Sequence, residues 1–266
     1  IEDYIKDVKA AHPELEEVEG ELILGKHSRV HKSIFSSRSD LKALNTKLQN
    51  YVTHVLEPLM TMSYSLGNEY PHGPMETIWK LLFENAAHDS IGSCISDTAN
   101  EDVYMRYKQV RDIADALVEL HTRLIATRIK NNADMTITLF NTLPFVRDEV
   151  VTAKLYLPGT DFALKDNKGN DVNYTILESK DLTDYVLSQT IKLNPSKKVY
   201  TPESVIEATI AIEAKDLPAM GYVQYTLDFS HSSKQELKES TTVENEFYSI
   251  HLEEDGTLTV VDKTNN

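Results

Sequence analysis

NEDVYMRYKQVRDIADALVELHTRLIATRIK, residues 100–130, gives way at Asn131-Asn132 to ADMTITLFNTLPFVRDEVVTAKLYL, residues 133–157. On the near side of that joint, Val103, Tyr107, Val110, Ala114, Leu117, His121 and Leu124 recur at alternating steps of four and three. That spacing keeps them on one face of a helix running from about Asn100 to Lys130. On the far side the period falls to two. Val151, Ala153, Leu155 and Leu157 alternate with Thr152, Lys154 and Tyr156, and Ile206, Ala208, Ile210 and Ile212 alternate with Glu207, Thr209, Ala211 and Glu213. Such alternation marks strands of an antiparallel sheet buried on one face. The chain therefore reads as an α+β multidomain protein, a helical domain followed by a β-domain.

Upstream of the joint two more helices are expected. One is capped by Ser39 and carries Leu41, Leu44, Leu48, Tyr51, Val55, Leu59 and Met62, with a bend at Pro58 and an end at Gly67-Asn68. The other starts at Pro74, carries Trp79, Leu82, Phe83 and Ala86, and ends around His88. Three such stripes hide each other in an antiparallel three-helix bundle, assigned to residues 38–131. Residues 2–11 read as a short helix stopped by Pro13, Glu21–Leu24 as a short strand, and His27–His31 as a polar loop. Residues 132–266 read as an antiparallel β-sandwich, incomplete because its last strands are missing. Asp166–Gly169 marks a turn, Asp255-Gly256 a hairpin, and Ser230–Ser240 a polar loop. Both ends look cut, which suggests an internal piece of a longer polypeptide.

The chain has 266 residues, 41% apolar and 26% charged, with a formal net charge of −15. That is a globular composition, and its acidity argues against nucleic acid or an anionic membrane as partner. A neutral ligand such as a sugar is compatible with it. The single cysteine, Cys94, cannot form an internal disulfide, so a reducing, cytoplasmic setting is expected. No apolar run is long enough for a membrane span.

Candidate chemistry converges on Glu84–Cys94. His88 beside Asp89, at a helix end and followed by Gly92, can aim an imidazole and a carboxylate at one point. That suits a metal ligand beside a group that holds hydroxyls; it also suits ordinary helix-end hydrogen bonds. Zinc needs three or four ligands, and the other histidines, His27, His31, His54 and His72, match no local metal spacing. Of these His31 is the best candidate for a role in the site. Arg38 reads equally as a clamp on a carboxylate or as a surface loop residue. There is no phosphate-binding glycine loop and no nucleophile elbow.

Four segments then resemble one family. Arg29–Lys42 resembles the end of the catalytic domain of the family-38 glycoside hydrolases, the α-mannosidases. Trp79–Leu82 followed by Ala87–Cys94 resembles the signature of that family's helical domain. Leu139–Phe145 with Arg147 resembles the opening of its β-domain, and Val243–Tyr248 with Asp255–Leu258 a later element of it. The bacterial branch is the nearer likeness.

The resemblance implies that residues 1–37 close an N-terminal catalytic domain, that 38–131 form the middle domain and that 132–266 form the first part of the β-domain. It implies a retaining, exo-acting α-mannosidase with one zinc ion per active site, acting on mannose-containing carbohydrate. His88 then matches the zinc ligand and Asp89 the carboxylate that binds substrate hydroxyls, with Arg38 and His31 as further substrate-side candidates. Nucleophile and acid/base are expected upstream, so the isolated chain is expected to be inactive and to bind zinc weakly. A bacterial, cytoplasmic location is implied by the same likeness, and a homodimer of the full-length enzyme is left open. Ala87 replaces a second His common in the animal enzymes. The competing expectation is a non-catalytic helical and β-sandwich module that binds carbohydrate or a partner subunit.

Overall fold

The computed structural model describes residues 1–15, 17, 19–20, 32–130, 133–193, 202–236 and 239–265. The strand expected at Glu21–Leu24 and the His27–His31 loop lie outside the described residues. The chain divides into two compact units, Ile1–Leu56 with Tyr70–Glu119, and Glu57–Glu69 with Leu120–Asn266.

Helices α1 (Glu2–Ala10), α2 (Ser39–Tyr51), α3 (Glu57–Ser65), α4 (His72–Asn85), α5 (His88–Gly92) and α6 (Asp97–Ala126) precede the sheets. The expected bend at Pro58 takes the form of a π-helical turn, Val52–Leu56, between α2 and α3. Proline lacks an N–H and its ring collides with the carbonyl four residues back, here that of His54; widening the turn relieves both faults. The wider turn also lets steps of four stay on one face. Leu48, Val52, Leu56 and Met60 are fully buried, whereas Tyr51, Val55 and Met62 are half-buried. Ser39 is the first helical residue rather than the cap; that position belongs to Arg38, at φ 45°.

Within the first unit α2 and α6 run the same way. Tyr104 donates to the Asp40 carboxylate and Tyr107 to Asn45 Oδ1 at 3.0 Å. Helix α4 returns against them, with Asn85 at its end bound to Val103 near the start of α6. The face of α4 is rotated from the expected one: Met75, Ile78, Leu82 and Asn85 are buried, Trp79 is half-buried, and Phe83 and Ala86 are exposed. The α6 stripe is buried as expected from Val103 through His121, with Ile125 in place of Leu124 at the end.

Among the described residues the second unit holds ten strands, all paired antiparallel: β1 (Thr136–Asn141), β2 (Arg147–Leu157), β3 (Ala163–Lys165), β4 (Asp171–Val172), β5 (Tyr174–Asp181), β6 (Ile206–Leu217), β7 (Gly221–Asp228), β8 (Thr242–Glu244), β9 (Tyr248–Leu252) and β10 (Leu258–Asp262). One sheet runs β1-β7-β3-β4, a second β2-β6-β5 and a third β10-β9-β8. The first two share a core of Ile137, Leu164, Tyr225 and Leu227 from one sheet with Leu157, Tyr174, Ile210 and Ile212 from the other, closed by Phe162. This is the sandwich read from the alternating runs. Phe162 and Tyr174 stack at 4.4 Å inside it.

The hairpin expected at Asp255-Gly256 joins β9 and β10, with Gly256 at φ 83° and Leu252 opposite Leu258. The Ser230–Ser240 loop is tied down where it is described: Ser233 N donates to Phe162 O and Gln235 N to Tyr174 O. A helix that the sequence reading did not include, α7 (Thr183–Leu193), lies between β5 and β6, its first residue donating N–H to Asp181 Oδ1 at 2.8 Å. Among the described residues no helix is long and apolar enough to cross a membrane.

Candidate active-site segment

The last turn of α4 closes with Ala86 N–H donating to Leu82 O and Phe83 O. The chain then leaves helical geometry at Ala87, φ −51° and ψ 137°. Helix α5 starts afresh at His88, so His88 and Asp89 open a short second helix rather than close the first. An abrupt change in ψ at one residue swings the next side chains away from the α4 axis. His88 is 94% and Asp89 64% exposed at the side chain, with His88 Nε2 3.4 Å from Asp89 Oδ1.

Helix α5 ends as sharply. Ser93 adopts the left-handed conformation, φ 67° and ψ 30°, and Cys94 N–H reaches back to Asp89 O at 2.9 Å. This is the closure usually made with glycine, and in a residue with a Cβ it costs about 1–2 kcal/mol. The Ser93 hydroxyl makes compensating contacts. It accepts from Lys42 Nζ at 3.2 Å and donates to Ser37 O at 3.4 Å, and Lys42 Nζ also donates to Ser37 O at 2.6 Å. At the other end Asn85, fully buried, donates to Val103 O at 3.0 Å and accepts from Arg106 Nε at 2.6 Å.

Of the other candidates, Arg38 sits at the start of α2, three-quarters buried, with Nη2 donating to Asp97 Oδ1 at 2.7 Å and Nη1 buried without a hydrogen-bond partner. His31 and His27 lie outside the described residues. His54 is exposed on the π turn and its Nδ1 is 2.6 Å from Thr53 Oγ1. His72 opens α4 with its ring 4.9 Å from that of Tyr70. Cys94 is exposed. His121 is buried with no hydrogen bond to Nδ1, and burial lowers its pKa. The structure thus brings His88 and Asp89 together.

An imidazole this exposed, with a carboxylate at its side, is free to bind a metal through a ring nitrogen, and as a single donor it fills one position of a zinc shell. Among the described residues no group of three or more His, Cys, Asp or Glu is placed to hold a metal. The residues present fit a contribution to a metal site and not a whole one. Sequence reading missed Asn85, Arg106, Lys42 and Ser93, whose partners are far away in the chain. The one local signal was Asn85, a polar residue at helical spacing from Ile78 and Leu82.

The β-unit has a cleft of about 640 Å³ whose lining includes Asp166, Asp171, Glu213, Lys215 and Tyr222. Two of its carboxylates are already engaged. Asp166 accepts from the backbone N–H groups of Lys168 and Asn170, and Asp171 from Lys165. It offers no convergent set comparable with His88 and Asp89.

Similarity to known proteins covers this segment and more. The sequence profile of the alpha-mannosidase middle domain matches residues 29–125, the stretch from before α2 to the last turn of α6. A putative mannosylglycerate hydrolase of Halalkalibacterium halodurans is 30% identical over 174 residues, 60% of this chain and 19% of that protein. Alpha-mannosidase 2C1 of Mus musculus is 28% identical over 135 residues, 50% of this chain and 12% of that protein. Two crystal structures from Enterococcus faecalis, a glycosyl hydrolase family 38 protein and an alpha-mannosidase, superpose with TM-scores of 0.70 and 0.73 at 25% identity. Each covers 99% of this chain, which spans 32% of either solved chain. Residues 29–125 thus match the alpha-mannosidase middle domain, and the chain as a whole is similar in fold to solved members of glycoside hydrolase family 38.

Proposed function

We propose that this chain is part of a zinc-dependent, retaining exo-α-mannosidase that removes terminal α-linked mannose from oligosaccharides or mannosides. The observation that carries the reading is the exposed His88–Asp89 pair at the break between α4 and α5. His88 offers a ring nitrogen as one metal ligand. Asp89, acceptor-only when ionised, takes hydrogen bonds from sugar hydroxyls and so fixes the ring's orientation. The metal, when bound, supplies a Lewis-acid grip on sugar oxygens that favours the flattened ring of an oxocarbenium-like transition state.

A retaining glycosidase also needs a carboxylate nucleophile and an acid/base about 5 Å apart. We place both, with the remaining zinc ligands, in the two-thirds of the family's length that this chain does not span, and expect the isolated chain to be inactive. The relative named for mannosylglycerate widens the leaving group to be tested from sugars to glycerate. Like the single cysteine, this reading suits a cytoplasmic enzyme.

The test uses the complete polypeptide that carries this chain. Wild type and His88→Ala are compared for zinc content and for hydrolysis of an aryl α-mannoside and of mannosylglycerate, with circular dichroism to establish that both are folded. Joint loss of metal and turnover is expected. Retention of both would leave a non-catalytic carbohydrate- or subunit-binding module as the better reading.

A further inference from the structure

We infer that Ser93 and Lys42 at one end of α5, and Asn85 and Arg106 at the other, are positioning residues for the His88–Asp89 pair. Their role rests on the proposal that His88 is a metal ligand. Helix α5 has five residues, has no side-chain cap, and buries only Gly92. A helix so short does not hold its own shape, so its placement is set from its ends.

Both ends are held by side chains from distant parts of the chain. Three residues before His88, the Asn85 amide bridges the α6 backbone at Val103 and the Arg106 guanidinium. Four residues after Asp89, the Ser93 hydroxyl is held between Lys42 Nζ and Ser37 O, beside the start of α2. Lys42 is half-buried and directs its donors at two neutral oxygens, the Ser37 carbonyl and the Ser93 hydroxyl. A serine in the left-handed region, where glycine is the unstrained choice, makes sense if its hydroxyl is the useful part. The ion pair of the His88 ring is with Asp89 and not with any of the four, so each acts through the backbone of α5 or of the Ala86-Ala87 link that leads into it. A shift there moves imidazole and carboxylate together.

The strained φ at Ser93 separates positioning from stability. Ser93→Gly removes the tether while relieving that strain, so a purely structural role predicts an unchanged or improved unfolding midpoint and unchanged zinc binding. In the complete polypeptide, Ser93→Gly and Lys42→Met are measured for zinc affinity by chelator competition, for kcat and KM on an aryl α-mannoside, and for thermal unfolding, with His88→Ala in parallel. Supporting residues of metal ligands typically contribute a factor of about 10–100 in affinity. About a tenfold loss of zinc affinity is expected for Ser93→Gly, with its unfolding midpoint unchanged or raised, and Lys42→Arg is expected to recover most of what Lys42→Met loses. Wild-type zinc affinity and KM in both Ser93→Gly and Lys42→Met, with zinc lost in His88→Ala, would overturn the positioning role alone. Zinc retained in His88→Ala would overturn the metal-site reading and this inference with it. Should Lys42→Met fail to fold, Ser93→Gly decides.

Discussion

At the scale of single residues, two histidines show how environment separates roles. His88 is held out to solvent beside Asp89. His121 is 2% exposed, with Nδ1 unpaired and its pKa lowered by burial from the ordinary 6.5. When unfolded, His121 takes up a proton as pH falls through about 6.5; when folded it resists until lower pH. The unfolded state therefore binds more protons in that window, and stability falls with pH below about 6.5 and is unaffected above it. The unfolding midpoint is expected to drop between about pH 7 and pH 5.5, and His121→Leu to flatten that drop. An equal slope in the variant would assign it to other groups. The carboxylates held low by hydrogen bonds, Asp40 by Tyr104 and Asp166 by Asn170, act in a separate window. Their contribution is present above the ordinary carboxylate range and lost at more acid pH.

At the scale of elements, periodicity conveys type better than phase. The α6 stripe was legible because its apolar residues keep one spacing along nearly the whole helix. The α4 stripe was not, since Trp79 and Phe83 are its largest apolar residues and a pattern read by size puts them inward. The buried face instead ends in Asn85, whose amide is satisfied by Val103 O and Arg106. A buried polar side chain with full partners escapes the desolvation penalty, and those partners lie on another helix, invisible to local pattern. The rotation has a measurable consequence. In the 266-residue chain Ile78→Ala is expected to cost about 2–5 kcal/mol, whereas Phe83→Ser stays within about 0.5 kcal/mol. Urea unfolding of the two variants checks this, and a larger loss for Phe83→Ser would restore the face read from sequence. Helix α2 drifted from its expected stripe for another reason, the π turn that Pro58 imposes, which inserts its own phase.

At the scale of the whole molecule, the change from a helical period to a period of two near Asn131-Asn132 falls between the end of α6 and the start of β1, and the sandwich core formed from the residues that alternate. Helix α7 escaped because it is short and set between two strands, its start fixed by Asp181 Oδ1 and by Val205, a partner distant in the chain. The candidate site was legible only as the His88-Asp89 dipeptide. Its placement depends on residues 42, 85, 93 and 106, which the fold brings together and the linear sequence does not. That His88 is a metal ligand and Asp89 a substrate group is tested most directly by the zinc stoichiometry of the complete polypeptide. Wild type, His88→Ala and Asp89→Asn are to be assayed side by side with aryl α-mannoside turnover. The expected result is metal and turnover lost in His88→Ala, with metal kept but KM raised about tenfold or more in Asp89→Asn. Full zinc occupancy and wild-type turnover in His88→Ala would contradict it.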